Sequence, residues 1–256
     1  RSIMASFDLS GPLRQGIFLV GKPKRFIPAF GQMFKYALSP KAYERLAIDI
    51  KSRPTYLKMR DGGLSITDID KASLMAREEQ FMSQLATRIP GIGPIVRASS
   101  RAYSGFLNKL RADVFDDLLK KATALGIKHD DKFLTDSARF VNAATGRGSL
   151  GQLDRAAVAF NSIFFSPRLI ASRLNLLNPL FYTSLHPLVR KEALKSLLAF
   201  GAVAGTTLGL LKLAGSDIGD DPRSADFGKA KFDNTRYDIF GGFQQYIKLA
   251  AQLITG

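Results

Sequence analysis

Apolar residues recur every three or four positions along most of this chain, the spacing that gathers them on one face of an α-helix. Ser39-Pro40 offers a capping hydroxyl followed by proline at the first helical position, and Tyr43, Leu46, Ala47 and Ile50 then follow at helical intervals until Pro54. Asp61-Gly62-Gly63 reads as a turn, and a further helix is expected from about Asp68 through Leu74, Met75, Phe81, Met82 and Leu85 to Pro90. Ile89-Pro90-Gly91-Ile92-Gly93-Pro94 carries too much proline and glycine for regular structure and reads as a stiff connector. From about Ile95 to Leu125 a long helix aligns Tyr103, Phe106, Leu107, Leu110, Val114, Phe115, Leu118 and Leu119, and Gly126 suits the position just past its end.

The pattern then shortens. A helix over Lys132–Ala144 ends in Thr145-Gly146-Arg147-Gly148, which lacks the preceding strand and the Lys-Ser/Thr of a phosphate loop and reads as a helix-to-helix turn. Ser149 and Gln152 match a capping box for a helix through Phe160. Ser166-Pro167, Asn178-Pro179 and His186-Pro187 each restart a helix. Strand character comes late: Phe227 to Phe232 and Thr235 to Phe240 flank Asp233-Asn234 as a hairpin. Gly241-Gly242 ends it, and Gln244 to Ile254 returns to helical spacing with Tyr246, Ile247, Ala250, Ala251 and Ile254 in a stripe. The fold expected is mainly α, an irregular multi-helix assembly with one small β-hairpin near the C-terminus. Three regions follow: a basic N-terminal helical region over 1–90, a central helical core over 95–215 that includes an apolar helix at 187–213, and the hairpin with a C-terminal helix over 216–256. The first residue is Arg1 and Gly256 directly follows a helical run, so the expectation is a part of a longer polypeptide.

One segment breaks the amphipathic pattern. Sixteen uncharged residues lie between Lys195 and Lys212. At ~1.5 Å per residue they reach roughly 24 Å, short of the ~30 Å hydrocarbon layer, although flanking lysines extend the reach by snorkelling. Gly201, Gly205 and Gly209 are four apart, a small-residue stripe that permits close helix packing, in a membrane pair or in a soluble bundle. Length favours a buried core helix over a conditional membrane segment.

Charge sharpens the picture. The net charge is +15, and +9 of it falls in residues 1–60 and +6 in residues 155–212, with the remainder nearly neutral. Two such blocks suit a polyanion, either nucleic-acid phosphate or anionic lipid headgroups. Lys22, Lys24, Arg25, Lys35, Arg53, Lys58 and Arg60 are the candidates in the first block, and Arg168, Arg173, Arg190, Lys191 and Lys195 in the second. Phe26, Phe30 and Phe34 interleave with the first block, and their spacing fits one core-facing stripe better than a base-stacking platform. No helix-turn-helix, zinc-finger or RNP pattern supports sequence-specific readout.

Chemistry is sparse. The absence of cysteine excludes disulfides, Cys-ligated zinc, iron–sulfur clusters and thiol nucleophiles. His129 and His186 are the two histidines, expected in a loop and at a helix start. Asp116-Asp117 and Glu78-Glu79 read as solvated helix faces, and Asp217, Asp220 and Asp221 as a surface loop without calcium-loop spacing. No catalytic residues, metal site or cofactor are expected.

Three runs resemble the helical region of large phage polyvalent proteins and internal virion, or DNA-ejection, proteins. They are Asp8 to Gly16 (DLSGPLRQG), Asn161 to Arg173 (NSIFFSPRLIASR), and Asp221 to Gly228 with its continuation from Asn234 to Tyr246. The resemblance implies a non-enzymatic segment carried in the virion and delivered to the host envelope or cytoplasm. It implies as partners other virion proteins or copies of itself, non-specific DNA, and membrane during infection. A host-interaction or defence-countering module within a polyvalent protein is the alternative. The family supplies no catalytic residues to carry over.

Overall fold

A computed structural model describes residues 14–67, 92–149 and 167–255. Helices dominate these residues: a 3₁₀ turn at Ile17–Leu19, then α1 (Pro23–Leu38), α2 (Pro40–Ser52), α3 (Tyr56–Asp61), α4 (Ile92–Ala124) and α5 (Asp131–Ala144). α6 (Pro167–Leu177), α7 (Pro179–Ser184) and α8 (Pro187–Leu213) lead into strands β1 (Asp217–Ile218), β2 (Lys229–Phe232) and β3 (Thr235–Asp238), and α9 (Gln244–Thr255) follows. The fold is mainly α. The helices expected over 68–90 and through Phe160 lie outside the described residues.

The caps behave as their chemistry dictates. The Ser39 hydroxyl accepts the Ala42 amide at 3.2 Å, Asp130 accepts Phe133 at 2.7 Å, Asn178 accepts Leu180 at 2.9 Å and His186 Nδ1 accepts Leu188 at 3.3 Å. Each satisfies an orphan amide of a first helical turn. At the end of α4, Gly126 takes φ +67 while the Ile127 amide bonds the Ala122 carbonyl at 2.9 Å, closing a Schellman motif. α4 begins earlier than the proline and glycine pattern suggests. Gly93 and Pro94 sit in its first turn, where proline forfeits no intrahelical bond.

α4 is the axis of the molecule. α1, α2 and α5 all pack on it, and α3, α6 and α8 pack on α5. Because α4 is surrounded, polar residues are buried on it as well as the expected stripe: Ser104, Asn108, Arg111 and Asp113. Asp113 is held by Arg53 and Lys109 at 2.9 and 2.8 Å, while Asn108 and Arg111 turn mainly to backbone. Asn108 both accepts the Thr67 amide (2.9 Å) and donates to the Thr67 carbonyl (2.7 Å), while Arg111 donates to Thr145 Oγ1 at 2.8 Å and to the Ser65 and Thr145 carbonyls at 3.0 and 3.1 Å. Asn142 of α5 treats Ser65 and Gly63 the same way, at 2.9 Å each. The coil from Gly63 to Thr67 is thus held by side-chain amides where a sheet would use a neighbouring strand. One core cluster runs from Phe18 to Phe243 and crosses the expected region boundaries.

The phenylalanine stripe of α1 is only partly as expected. Phe26 is buried and meets Phe106 edge-on at 5.6 Å, Phe30 is half-buried, and Phe34 is 47% exposed. Residues four apart drift around a helix of 3.6 residues per turn, and the true inward line is Phe26, Ala29, Met33 and Tyr36. Gly105 makes room for Tyr36, whose ring would lie 2.4 Å from a Cβ there.

The late strands form a three-stranded antiparallel sheet in the order β1-β2-β3, with Phe232 opposite Thr235 across Asp233-Asn234. Asp233 adopts φ 48, as a two-residue hairpin turn requires. β1 is an addition to the expected hairpin: two residues, Asp217 and Ile218, are too short to leave a periodic signal.

Gly146-Arg147-Gly148 is a helix-end turn, with Gly146 at φ +81. Gly148 has a further role, since a Cβ there would lie 2.1 Å from the Ser172 amide nitrogen of α6. Backbone cannot rotate aside as a side chain can. Gly148→Ala is therefore expected to destabilise the chain by about 2–3 kcal/mol, an overpacking cost. A urea unfolding midpoint shifted down with an unchanged slope is the readout.

Candidate functional site

α8 is the segment whose position matters most. Pro187 at the first helical position and the His186 cap start it, and Gly215 at φ +91 closes it. Leu188, Val189, Ala193, Ser196, Phe200 and Ala204 face the core, with Phe200 ring-packed on Phe18 at 5.9 Å and Phe243 at 5.1 Å. The opposite face is bare. Leu198 is 73% exposed, Leu210 62% and Leu213 86%, and a Cβ on Gly201, Gly205 or Gly209 would meet nothing within 4 Å. The expectation of a buried core helix is corrected here: of the helix's most apolar 18-residue window, mean hydropathy 1.5, only 17% is buried. Apolar residues line both faces, so periodicity along the sequence could not announce which one is covered.

The basic candidates divide. Lys22, Lys24, Arg25 and Lys195 are brought together where the start of α1 meets α8. Lys22 Nζ lies 3.1 Å and Lys195 Nζ 3.5 Å from the Glu192 carboxylate, and Arg25 clasps Asp117 at 2.8 and 2.5 Å. Lys121 joins them at 2.5 Å from Glu192. Sequence reasoning passed over Lys121, although it stands four residues after Asp117 and so shares its helix face. Gly21 permits the arrangement. A Cβ there would fall 2.2 Å from that of Ala199, so glycine lets the loop lie flat on α8 with Lys22 over Glu192.

The others are dispersed. Arg53 reaches Asp49 at 2.7 Å, Asp113 at 2.9 Å and Asp116 at 3.0 Å. Burial opposes its charge, but the bond to Asp49 and the field of Asp113 outweigh that and raise its pKa further. Asp116 and Asp117 are therefore half-buried ion-pair partners of the N-terminal region, in place of the solvated face expected. Lys58 contacts His129 Nδ1 at 2.9 Å, which makes His129 half-buried and partnered. Arg60 pairs with its neighbour Asp61 at 2.9 Å, Lys35 and Lys191 are exposed, and Arg168 is half-buried. Arg190 donates to the carbonyls of Tyr182, Thr183 and Leu185 at 3.0, 2.7 and 3.3 Å, fastening α8 to the end of α7.

Arg173 departs furthest from the surface role expected of it. It is 2% exposed, stacks its guanidinium 4.2 Å from the centre of the Phe243 ring, and donates Nη2 to the Arg14 carbonyl at 2.5 Å. Its Nε and Nη1 have no partner, and burial pushes its pKa down to about 10, weakly opposed by Tyr103 and Tyr246. An unpaired buried cation opposes folding. Arg173→Met keeps the volume and removes the charge, so stability is expected to rise by about 1–3 kcal/mol near neutral pH. Thermal unfolding measures it; a fall in the midpoint would show that the ring contact outweighs the charge.

Elsewhere the acidic loop is engaged locally, with Asp221 accepting from Arg223 at 3.2 Å and Asp226 from Arg236 at 2.7 Å. Among the described residues no group of three or more carboxylates or histidines is placed to hold a metal. A comparison with known protein families, curated proteins and solved structures finds no match to this chain.

Proposed function

We propose that this chain is a non-enzymatic component of a phage virion's genome-delivery apparatus, and that it contacts a membrane through the outward face of α8. The observation that carries the reading is the bare apolar face itself. A 27-residue helix of ~40 Å lies along the surface with Leu194, Leu198, Leu210 and Leu213 outward and Lys191, Lys195 and Lys212 spaced among them. Apolar side chains bounded by lysines are the composition of an interfacial helix, with leucines at the acyl boundary and ammonium groups among headgroups. The phage context rests on the resemblance of the three sequence runs.

Lipid is the polyanionic surface better supported than DNA. Among the described residues, Lys22, Arg25 and Arg53 of the first basic block already hold carboxylates, so less of that block's charge is available to a phosphate backbone than its sequence count suggests. The glycine stripe on the same outward face would let the helix of a second copy approach closely once both are on the bilayer.

Vesicle sedimentation with the whole chain tests the proposal. Pelleting with phosphatidylglycerol-containing vesicles, weaker pelleting with phosphatidylcholine alone, and duplex DNA binding that vanishes at moderate salt are expected. Failure to associate with vesicles of either composition overturns it. Dimerisation through α8 without lipid would assign the face to a second copy.

A further inference from the structure

The basic cluster beside α8 deepens this reading and rests on it. A concavity of about 340 Å³ opens between the start of α1, α4 and α8. Five cations line it (Lys22, Lys24, Arg25, Lys121 and Lys195) against two carboxylates, Asp117 and Glu192. Arg25 and Asp117 neutralise each other through two hydrogen bonds. Lys22, Lys121 and Lys195 then converge on the one carboxylate of Glu192, at 3.1, 2.5 and 3.5 Å. Three ammonium groups carry nine donor hydrogens, more than one carboxylate accepts, and like charges so close repel one another. Lys24 adds a further positive charge at the rim. α1 also opens on the concavity without a side-chain cap and without an acid in its own first turn, so the positive end of its dipole adds to the charge there.

We propose that this basin binds a phosphate group, supplied by an anionic phospholipid headgroup. A phosphate accepts from several ammonium groups at once and relieves their mutual repulsion. Its position fits a lipid. Lys195 and Leu198 are three residues apart on α8 and share a side of the helix, so a headgroup at Lys195 directs its acyl chains along the bare apolar face. The basin is a docking point beside that face.

Calorimetric titration of the whole chain with dihexanoyl phosphatidylglycerol, below the concentration at which it forms micelles, tests this without a bilayer. Lys24 and Lys195 are exposed, so K24E/K195E reverses two rim charges while leaving the Lys22 and Lys121 contacts to Glu192 intact. An affinity loss of about twentyfold or more is expected for K24E/K195E, against less than about twofold for K41E/R45E on the exposed side of α2. Equal losses in the two variants, or none in K24E/K195E, overturn the basin. Inorganic phosphate serves as the second probe: binding tenfold weaker than the lipid assigns the site to a headgroup, and equal binding assigns it to free phosphate. A short DNA duplex that displaces the lipid and loses the same factor in K24E/K195E would overturn the lipid assignment in favour of nucleic acid. The membrane reading fails separately, since vesicle sedimentation of the wild-type chain probes the face of α8 and the short-chain lipid probes the basin.

Discussion

Substituting Leu198 and Leu210 by glutamate is expected to lower partitioning onto phosphatidylglycerol vesicles by at least about a hundredfold, because burying a leucine is worth about 1.5–3 kcal/mol and two are removed. Each new carboxylate adds desolvation and repulsion from anionic headgroups, so the figure is a lower bound. The fold should be untouched: both side chains are largely solvent-exposed, and glutamate is a good helix former. Far-ultraviolet circular dichroism should therefore superimpose on that of the wild type. Undiminished vesicle pelleting by L198E/L210E would show that some other surface makes the contact. Leu249, Leu253 and Ile254 on α9, 54, 78 and 84% exposed, would be the next to test.

The second large effect is on stability against pH. Glu192 is 3% exposed on α8, and burial by itself would raise its pKa. The hydrogen bond from Lys121, with the charge and hydrogen bond of Lys22, overrides burial and holds the carboxyl down at about 2, against an ordinary 4.5. A carboxyl whose folded pKa is depressed contributes stability that is complete above the unfolded value. That contribution fades as pH falls from 4.5 toward about 2. Its size at neutral pH is on the order of 3 kcal/mol, at 1.36 kcal/mol for each pKa unit. Glu192→Gln should lower stability at pH 7 by about that amount, leaving Lys22 and Lys121 around a neutral amide. It should also flatten the pH dependence between 4.5 and 2, which denaturant titrations at several pH values would read out. An acid limb unchanged in the variant would overturn the assignment to Glu192.

What could be read from the sequence was local. Proline and capping residues placed the starts of α2, α6, α7 and α8, because those signals depend only on the orphan amides of a first turn. The stripe from Tyr103 to Leu119 was legible because α4 needs apolar contacts on one side wherever it packs. What surrounds α4 on its other sides was not legible, so Asn108 and Arg111 gave no sign that they would be buried and bonded to backbone. The basic clusters were legible only as charge, for a related reason. Charge counts along a chain are blind to carboxylates distant in sequence, and Glu192 is 170 residues from Lys22. Gly201, Gly205 and Gly209 were visible as a stripe, yet which way a stripe points depends on the helix's other residues. Leu188 to Ala204 turned it outward.

Arg173 also bears on the order in which the molecule closes. Its guanidinium can stay hydrated until Phe243 comes to rest over it, so the desolvation cost falls on the docking of the sheet and α9. Docking of that unit is opposed by the cation it covers, whose Nε and Nη1 have no partner, whereas Arg111, buried between α4 and α5, has its donors met by Thr145 and Ser65. On that ground the C-terminal unit is expected to be the first to open. Its amides should exchange with solvent well ahead of those along α4, and Phe200 and Phe243, now shut inside, are the rings such an opening would release.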